Sequence, residues 1–179
     1  MVNPVLEAIQ SRRSAVRFDS TTVEKEKIEA ILEAGRWAPS WLNTQPWRFI
    51  VMTDQTIKEH ISEIVPTIHS LGVREAPYCI AVCVDPDEDP YHFVEDGAAA
   101  TQNMAVVAQS LGLGSIWIGV YHVGSVKNSA EEKIKAVLKI PKTWRIISIL
   151  PIGVAKYAPE KERKPLSELV YWGMYSEKC

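Results

Sequence analysis

The segment Tyr91–Leu111, YHFVEDGAAATQNMAVVAQSL, constrains this chain more than any other. It has the length of a long helix, and its centre is almost entirely small or apolar: Ala98, Ala99, Ala100, Ala105, Val106, Val107 and Ala108. A helix apolar around most of its girth is buried on most sides. In a chain of 179 residues that makes it a central helix, with a second subunit as one way of covering what the chain itself leaves open.

The flanking segments supply a sheet for it to pack on. Asn3 and Pro4 read as N-cap and first helical residue of a helix presenting Val5, Leu6 and Ile9. Thr21 to Glu24 has the form of a capping box before EKEKIEAILEAGRWA, and Pro39 stops that helix. Asp54 can cap QTIKEHISEIV, and Ser129 to Glu132 is a second capping-box pattern. WRFIVMT, YCIAVCVD, SIWIGVY and WRIISILPIGVA read as strands; YCIAVCVD is nearly continuous in apolar residues, as in a strand buried on both faces. The order α, α, β, α, β, α, β, α, β, then a tail, predicts an α+β domain with helices around a sheet, without the strict βαβ repeat of a doubly wound fold.

Several functions are excluded or disfavoured at this level. Twenty Lys and Arg against 22 Asp and Glu give a formal charge of −2, too little positive charge for bulk nucleic-acid binding. No apolar run approaches the ~18 residues of a membrane span, and Glu7 within the N-terminal segment argues against a signal peptide. The odd set Cys79, Cys83 and Cys179 makes no disulfide framework; Cys79 and Cys83 read as small apolar residues in a reducing compartment, the cytosol. His60, His69, His92 and His122 lack metal-site spacing, so no metal is expected. GLGSIWIG puts Trp117 where a dinucleotide fingerprint needs glycine, and it follows a helix rather than opening one. DPDEDPYHFVED lacks the glycine of a calcium loop and reads as a solvated turn.

Three clusters remain. SRRSAVRF, Ser11 to Phe18, concentrates arginines, either as a solvated helix end or as a small anion site, since guanidinium forks match phosphate. EKERKP, Glu160 to Pro165, is a second cationic knot, with a solvated tail as its plain reading. APSWLNTQPW, Ala38 to Trp47, sets polar amides between indoles. It reads as a rigid helix-to-strand connection or as a surface for a flat heteroaromatic ring. Taken jointly, two cationic knots for a phosphate and an amide-and-indole loop for a planar ring suit a phosphorylated flavin.

With SRRSAVRF, APSWLNTQPWRFIV, DGAAATQNMAVVAQSLGLGSIWIGVY and LPIGVAKYAPEKERKPLSELVYW in this order, the chain resembles the FMN-dependent nitroreductase family. The resemblance spans almost the whole chain and implies one FMN-binding domain over 1–179. It implies an α+β fold with a central, mostly antiparallel sheet surrounded by helices, and a homodimer whose C-terminal tail docks on the partner. It further implies that Arg12, Arg13 and Ser14 meet the FMN phosphate and ribityl chain, with Lys161 and Arg163 closing from the tail. Pro39, Ser40 and Asn43 approach the flavin from the other subunit, Gln45 supports that loop, and Trp117, Ile118 and Gly119 lie along the flavin edge.

The implied activity is ping-pong transfer of hydride from NADH or NADPH through flavin N5 to nitroaromatics, quinones or related acceptors, with no side chain as catalytic acid or base. Flavin fragmentation, reductive dehalogenation and flavin binding without turnover are the alternatives. No nucleic-acid or membrane partner is expected. Two departures bear on the pyrimidine end of the ring. Val16 stands where many relatives have a basic residue, and Arg74 in HSLGVREAP has no secure counterpart.

Overall fold

A computed structural model describes residues 3–122 and 127–175; Cys179 lies outside them. Its helices are α1 Pro4–Ser11, α2 Lys25–Arg36, α3 Gln55–Ile64, α4 Thr67–Glu75, α5 Phe93–Ser110, α6 Ala130–Leu138 and the short α7 Leu166–Leu169. The strands are β1 Arg17–Phe18, β2 Trp47–Met52, β3 Tyr78–Val84, β4 Gly114–Ser115, β5 Ile118–Gly119, β6 Arg145–Gly153 and β7 Ala155–Tyr157. Among the described residues no helix is long and apolar enough to cross a membrane.

The main sheet runs β2-β3-β6-β4, with β5 also on β6, and each of its pairings is antiparallel. β1 and β7 form a separate antiparallel ribbon. Alternation along β3 sends Cys79, Ala81 and Cys83 into one apolar cluster and Ile80, Val82 and Val84 into another. The first is closed by Ile61 of α3, Val73 of α4 and Ile134 of α6; the second by Ile28 and Ile31 of α2 and by Ala100, Met104 and Ala108 of α5. Burial raises both strand thiols to about 12, so they are inert apolar residues.

The central helix forms as expected, two residues shorter at its start and one at its end. Gly97 lets it lie against the sheet: a Cβ there would strike Ile147 and come within 3.0 Å of Val84. Thr101 Oγ1 shares a 2.8 Å hydrogen bond with Ser148 Oγ of β6, which joins helix and sheet in the buried core. Gly112, at φ +75°, ends the helix. The Leu113 N–H returns to Ala108 O at 2.9 Å and the Gly112 N–H to Gln109 O at 3.1 Å, a Schellman closure.

Asn3, Asp54 and Ser129 cap their helices as read from the sequence. The Thr21 box does not form. Thr21 gives both its N–H and its hydroxyl to Asp19, and α2 begins only after Glu24, with no side-chain cap. SIWIGVY is two short strands rather than one, and the last strand breaks at Val154 into β6 and β7. Helix α4 was not legible because HSLGVRE carries little apolar repeat; it packs through Gly72 and Val73.

Candidate functional site

At one end of α5 the chain gathers cations. α1 stops at Arg12, and the chain then runs extended, with the Ala15 N–H on Ser115 O at 3.0 Å and Ser14 bridged to Ser115 in parallel. Arg13 is folded back, its Nη1 on Gln10 O at 2.6 Å and on Arg12 O at 3.0 Å. It separates two small cavities. One, of about 230 Å³, is lined also by Gln109, Gly112 and Gly114; the other, of about 200 Å³, by Lys161 and Arg163. Burial, and then repulsion from Arg163 and Arg13, lower the pKa of Arg12. Among the described residues none of Arg12, Arg13, Lys161 and Arg163 forms an ion pair with a carboxylate. Arg17 is different: it grips Glu75 of α4 at 2.7 to 2.9 Å and does not belong to the cluster.

At the other end of α5 lies the loop 39–45. Leu42, Asn43 and Gln45 have φ of 44°, 61° and 54°. Asparagine takes left-handed backbone readily; leucine and glutamine do so at a cost of about 1–2 kcal/mol each. The loop is held by its own polar groups: the Gln45 N–H donates to Ser40 Oγ at 3.0 Å, Gln45 Nε2 to Asn43 O at 3.3 Å, and the Asn43 N–H to Ser40 O at 3.1 Å. It is also held from outside. The Trp41 N–H reaches both Oδ1 and Oδ2 of Asp96 at 3.2 Å, and the Trp41 ring rests against Tyr91 and His92. Pro39, Asn43 and Gln45 remain exposed.

Asp96 and its neighbour Asp89 are residues whose placement sequence reading missed. The acidic loop is not a solvated turn at these two positions: Asp89 and Asp96 are buried. Asp89 Oδ1 accepts the N–H groups of Tyr91 and His92 at 3.0 Å, an Asx turn that leads into α5. The available signal was Asp89-Pro90 just before a helix. Trp117 and Gly119 are exposed, with open space where a Gly119 side chain would be, while Ile118 is in the core on β5 opposite Ile149.

The profile of the Nitroreductase family matches residues 9–154. The chain belongs to the nitroreductase family. A relative from Methanothermobacter thermautotrophicus, provisionally named NADH dehydrogenase/NAD(P)H nitroreductase, is 36% identical over 151 residues, 83% of this chain and 76% of that protein. A provisionally named nitroreductase of Desulfovibrio desulfuricans, solved in complex with FMN, aligns with a TM-score of 0.83 at 31% identity, covering 98% of this chain and 100% of that one. The iodotyrosine deiodinase of Hydra vulgaris is 24% identical over 195 residues, 91% of this chain and 70% of its own.

The residues of this nitroreductase-family chain fit a phosphorylated flavin. Arg13 Nε is sealed from solvent without a partner, and uncompensated cations surround it, so the pocket suits an anion. A larger cavity, about 520 Å³ between α2 and the start of β2, holds Glu29, Glu33, Arg36 and Arg48. Its charges are already satisfied, Arg36 by Glu33 and Arg48 by Glu88, so it is not the phosphate pocket. Val16 is half-buried against the core, with its carbonyl beneath Gly72, and Arg74 is exposed on α4.

Proposed function

We propose that this nitroreductase-family chain is an NAD(P)H-dependent FMN oxidoreductase that works as a homodimer with two shared sites. The family is one of flavin oxidoreductases, and the chain is an enzyme of that kind. Bound FMN supplies the redox chemistry, accepting hydride from NADH or NADPH and delivering electrons to a nitroaromatic, quinone or related acceptor.

One observation carries the shared-site reading. Asp96, which holds the loop, and Gln109, beside Arg13, are separated by roughly 20 Å of helix at 1.5 Å per residue. The ring-binding loop and the phosphate cluster of one chain thus lie at opposite ends of α5. A two-fold partner would set its own Pro39, Ser40 and Asn43 beside this chain's Arg12, Arg13 and Ser14, with Gln45 bracing the loop. Lys161 and Arg163 close the phosphate pocket from the tail. Trp117 and Gly119 offer open surface and backbone for the edge of the ring, positioned by the buried Ile118. The exposed tail, with Leu166 and Trp172 uncovered at 74% and 93%, would dock on the partner. All of this is one FMN-binding domain over 1–179, and its inert thiols suit the cytosol.

Anaerobic stopped-flow addition of NADH or NADPH to FMN-loaded protein tests the reading. Rapid flavin bleaching, followed by reoxidation on adding a nitroaromatic or quinone, is expected. Flavin that bleaches only with dithionite would mean binding without turnover. Reoxidation by halotyrosine alone would favour the dehalogenase chemistry named for the Hydra relative.

A further inference from the structure

Asp89 and Asp96 are two buried acids, 0% and 5% exposed, at the approach to α5. Asp96 spends both oxygens on the Trp41 N–H of the loop 39–45. Asp89 spends Oδ1 on two N–H groups, and its Oδ2 is sealed from solvent with no donor. A buried carboxylate oxygen without a donor is costly. The two acids sit on one turn, with the His92 N–H on Asp89 Oδ1 at 3.0 Å and the Asp96 N–H on His92 O at 3.0 Å, and their carboxyls act on one another, each an acceptor unless protonated.

We propose that Asp89 and Asp96 hold one proton between them, donated by Asp96 to Asp89, and that this pair is the positioning device that keeps the strained flavin loop at Trp41 in place. The inference rests on the reading that the loop lies against FMN. It explains how Leu42, Asn43 and Gln45 keep left-handed backbone on a loop whose tip is exposed: the restraint is applied at the next residue, Trp41, from inside the protein.

The two acids divide as such a pair should. Burial, and then the Asp89 carboxyl, push Asp96 up to about 6. Asp89 also feels burial, but the N–H groups of His92 and Tyr91 outweigh it and hold Asp89 below the usual carboxylate range. Among the described residues, His92 is the other titratable group that acts on either acid. The proton therefore resides on Asp96. An asparagine at 96 copies that state: its amide donates to Asp89 and its carbonyl accepts from Trp41.

The sign of the pH effect follows. Asp96 has a raised pKa in the folded protein, so its contribution to stability is present in acid and is lost as pH rises from about 4, the ordinary aspartate value, through about 6. Asp96→Asn lacks this loss. Thermal unfolding of the apo-protein should show Asp96→Asn gaining on wild type between pH 4 and 7. Parallel curves would overturn the shared proton. The loop role is read separately, by FMN titration at pH 6. Asp96→Leu should weaken binding roughly tenfold or more through loss of the Trp41 anchor, while Asp96→Asn stays near wild type. Equal affinities for wild type and a folded Asp96→Leu would overturn the positioning role. Wild-type protein that binds no FMN at all would instead overturn the functional reading, and the loop role with it, while the apo-protein curves still decide the proton.

Discussion

Arg12 and Arg13 show how residues of one type in adjacent positions divide a task. Arg13 is bent onto main-chain carbonyls, so it lines the pocket walls, while Arg12 feels the repulsion of Arg163 across the gap. An anion placed there relieves that repulsion, and charge-assisted hydrogen bonds contribute on the order of 1.5–3 kcal/mol. Arg12→Ala should therefore weaken FMN binding by roughly ten- to a hundredfold and leave riboflavin affinity nearly unchanged, as measured by flavin fluorescence titration. Equal losses for both ligands would mean that Arg12 does not meet the phosphate. Gly97 is a residue-scale constraint of another kind. A methyl group there has no room between Ile147 and Val84, so Gly97→Ala should destabilise the fold by about 1–3 kcal/mol in urea unfolding.

At the scale of elements, α6 is tied to β6 by an ionic joint. Glu131, nearly sealed, accepts Arg145 Nε and Nη2 at 2.8 Å and the Ile146 N–H at 3.0 Å, and Lys135 lies 3.5 Å away. Burial pushes Glu131 up, but Arg145 and the Ile146 N–H outweigh it, so the carboxyl sits below its usual range. Glu131→Gln takes the buried carboxylate from Arg145 and Lys135, leaving Lys135 with Glu132 at 4.0 Å, and should cost about 3 kcal/mol at pH 7 by urea unfolding. Because the folded pKa is lowered, the stabilisation is complete above the ordinary glutamate value of about 4.3 and fades as pH falls below it. The gap between wild type and Glu131→Gln should narrow accordingly in acid.

For the whole molecule the decisive feature is what one chain leaves uncovered. Val5, Leu6 and Ile9 of α1 and the tail from Leu166 to Tyr175 present apolar side chains to water, and the outer edge of β2 has no strand beside it among the described residues. Exposed apolar side chains of this kind suit the proposed homodimer. Light scattering on FMN-loaded protein should give the mass of two chains rather than the 20.1 kDa of one. With the tail docked on a partner as proposed, removing residues 166–179 should lower dimer stability and FMN affinity together, since Lys161 and Arg163 stand just before it in the chain. A truncated chain that stays dimeric and binds FMN normally would remove the tail from the assembly.

Much of this was legible locally. The buried helix announced itself by composition, Asn3, Asp54 and Ser129 by cap chemistry, and the burial of β3 on both faces by its apolar run, because each depends on a few neighbouring residues. Two arginine-bearing knots were visible as charge. Their convergence was expected from the pairing of the two knots and from the family resemblance, but the contact itself, with Arg13, Lys161 and Arg163 around one small cavity, arises only when the chain folds the tail back onto α1. The same physics explains the misses. Thr21 had the right spacing for a cap, but Asp19 competed for its hydroxyl. Asp89 and Asp96 looked like solvated charge, since nothing near them in sequence says that Trp41 will close over them. Local hydrogen bonding and periodicity are written residue by residue; burial of charge and convergence of distant groups are properties of the packed molecule. In this protein the first determined the helices and strands, and the second decided where a phosphate could sit and which acid keeps its proton.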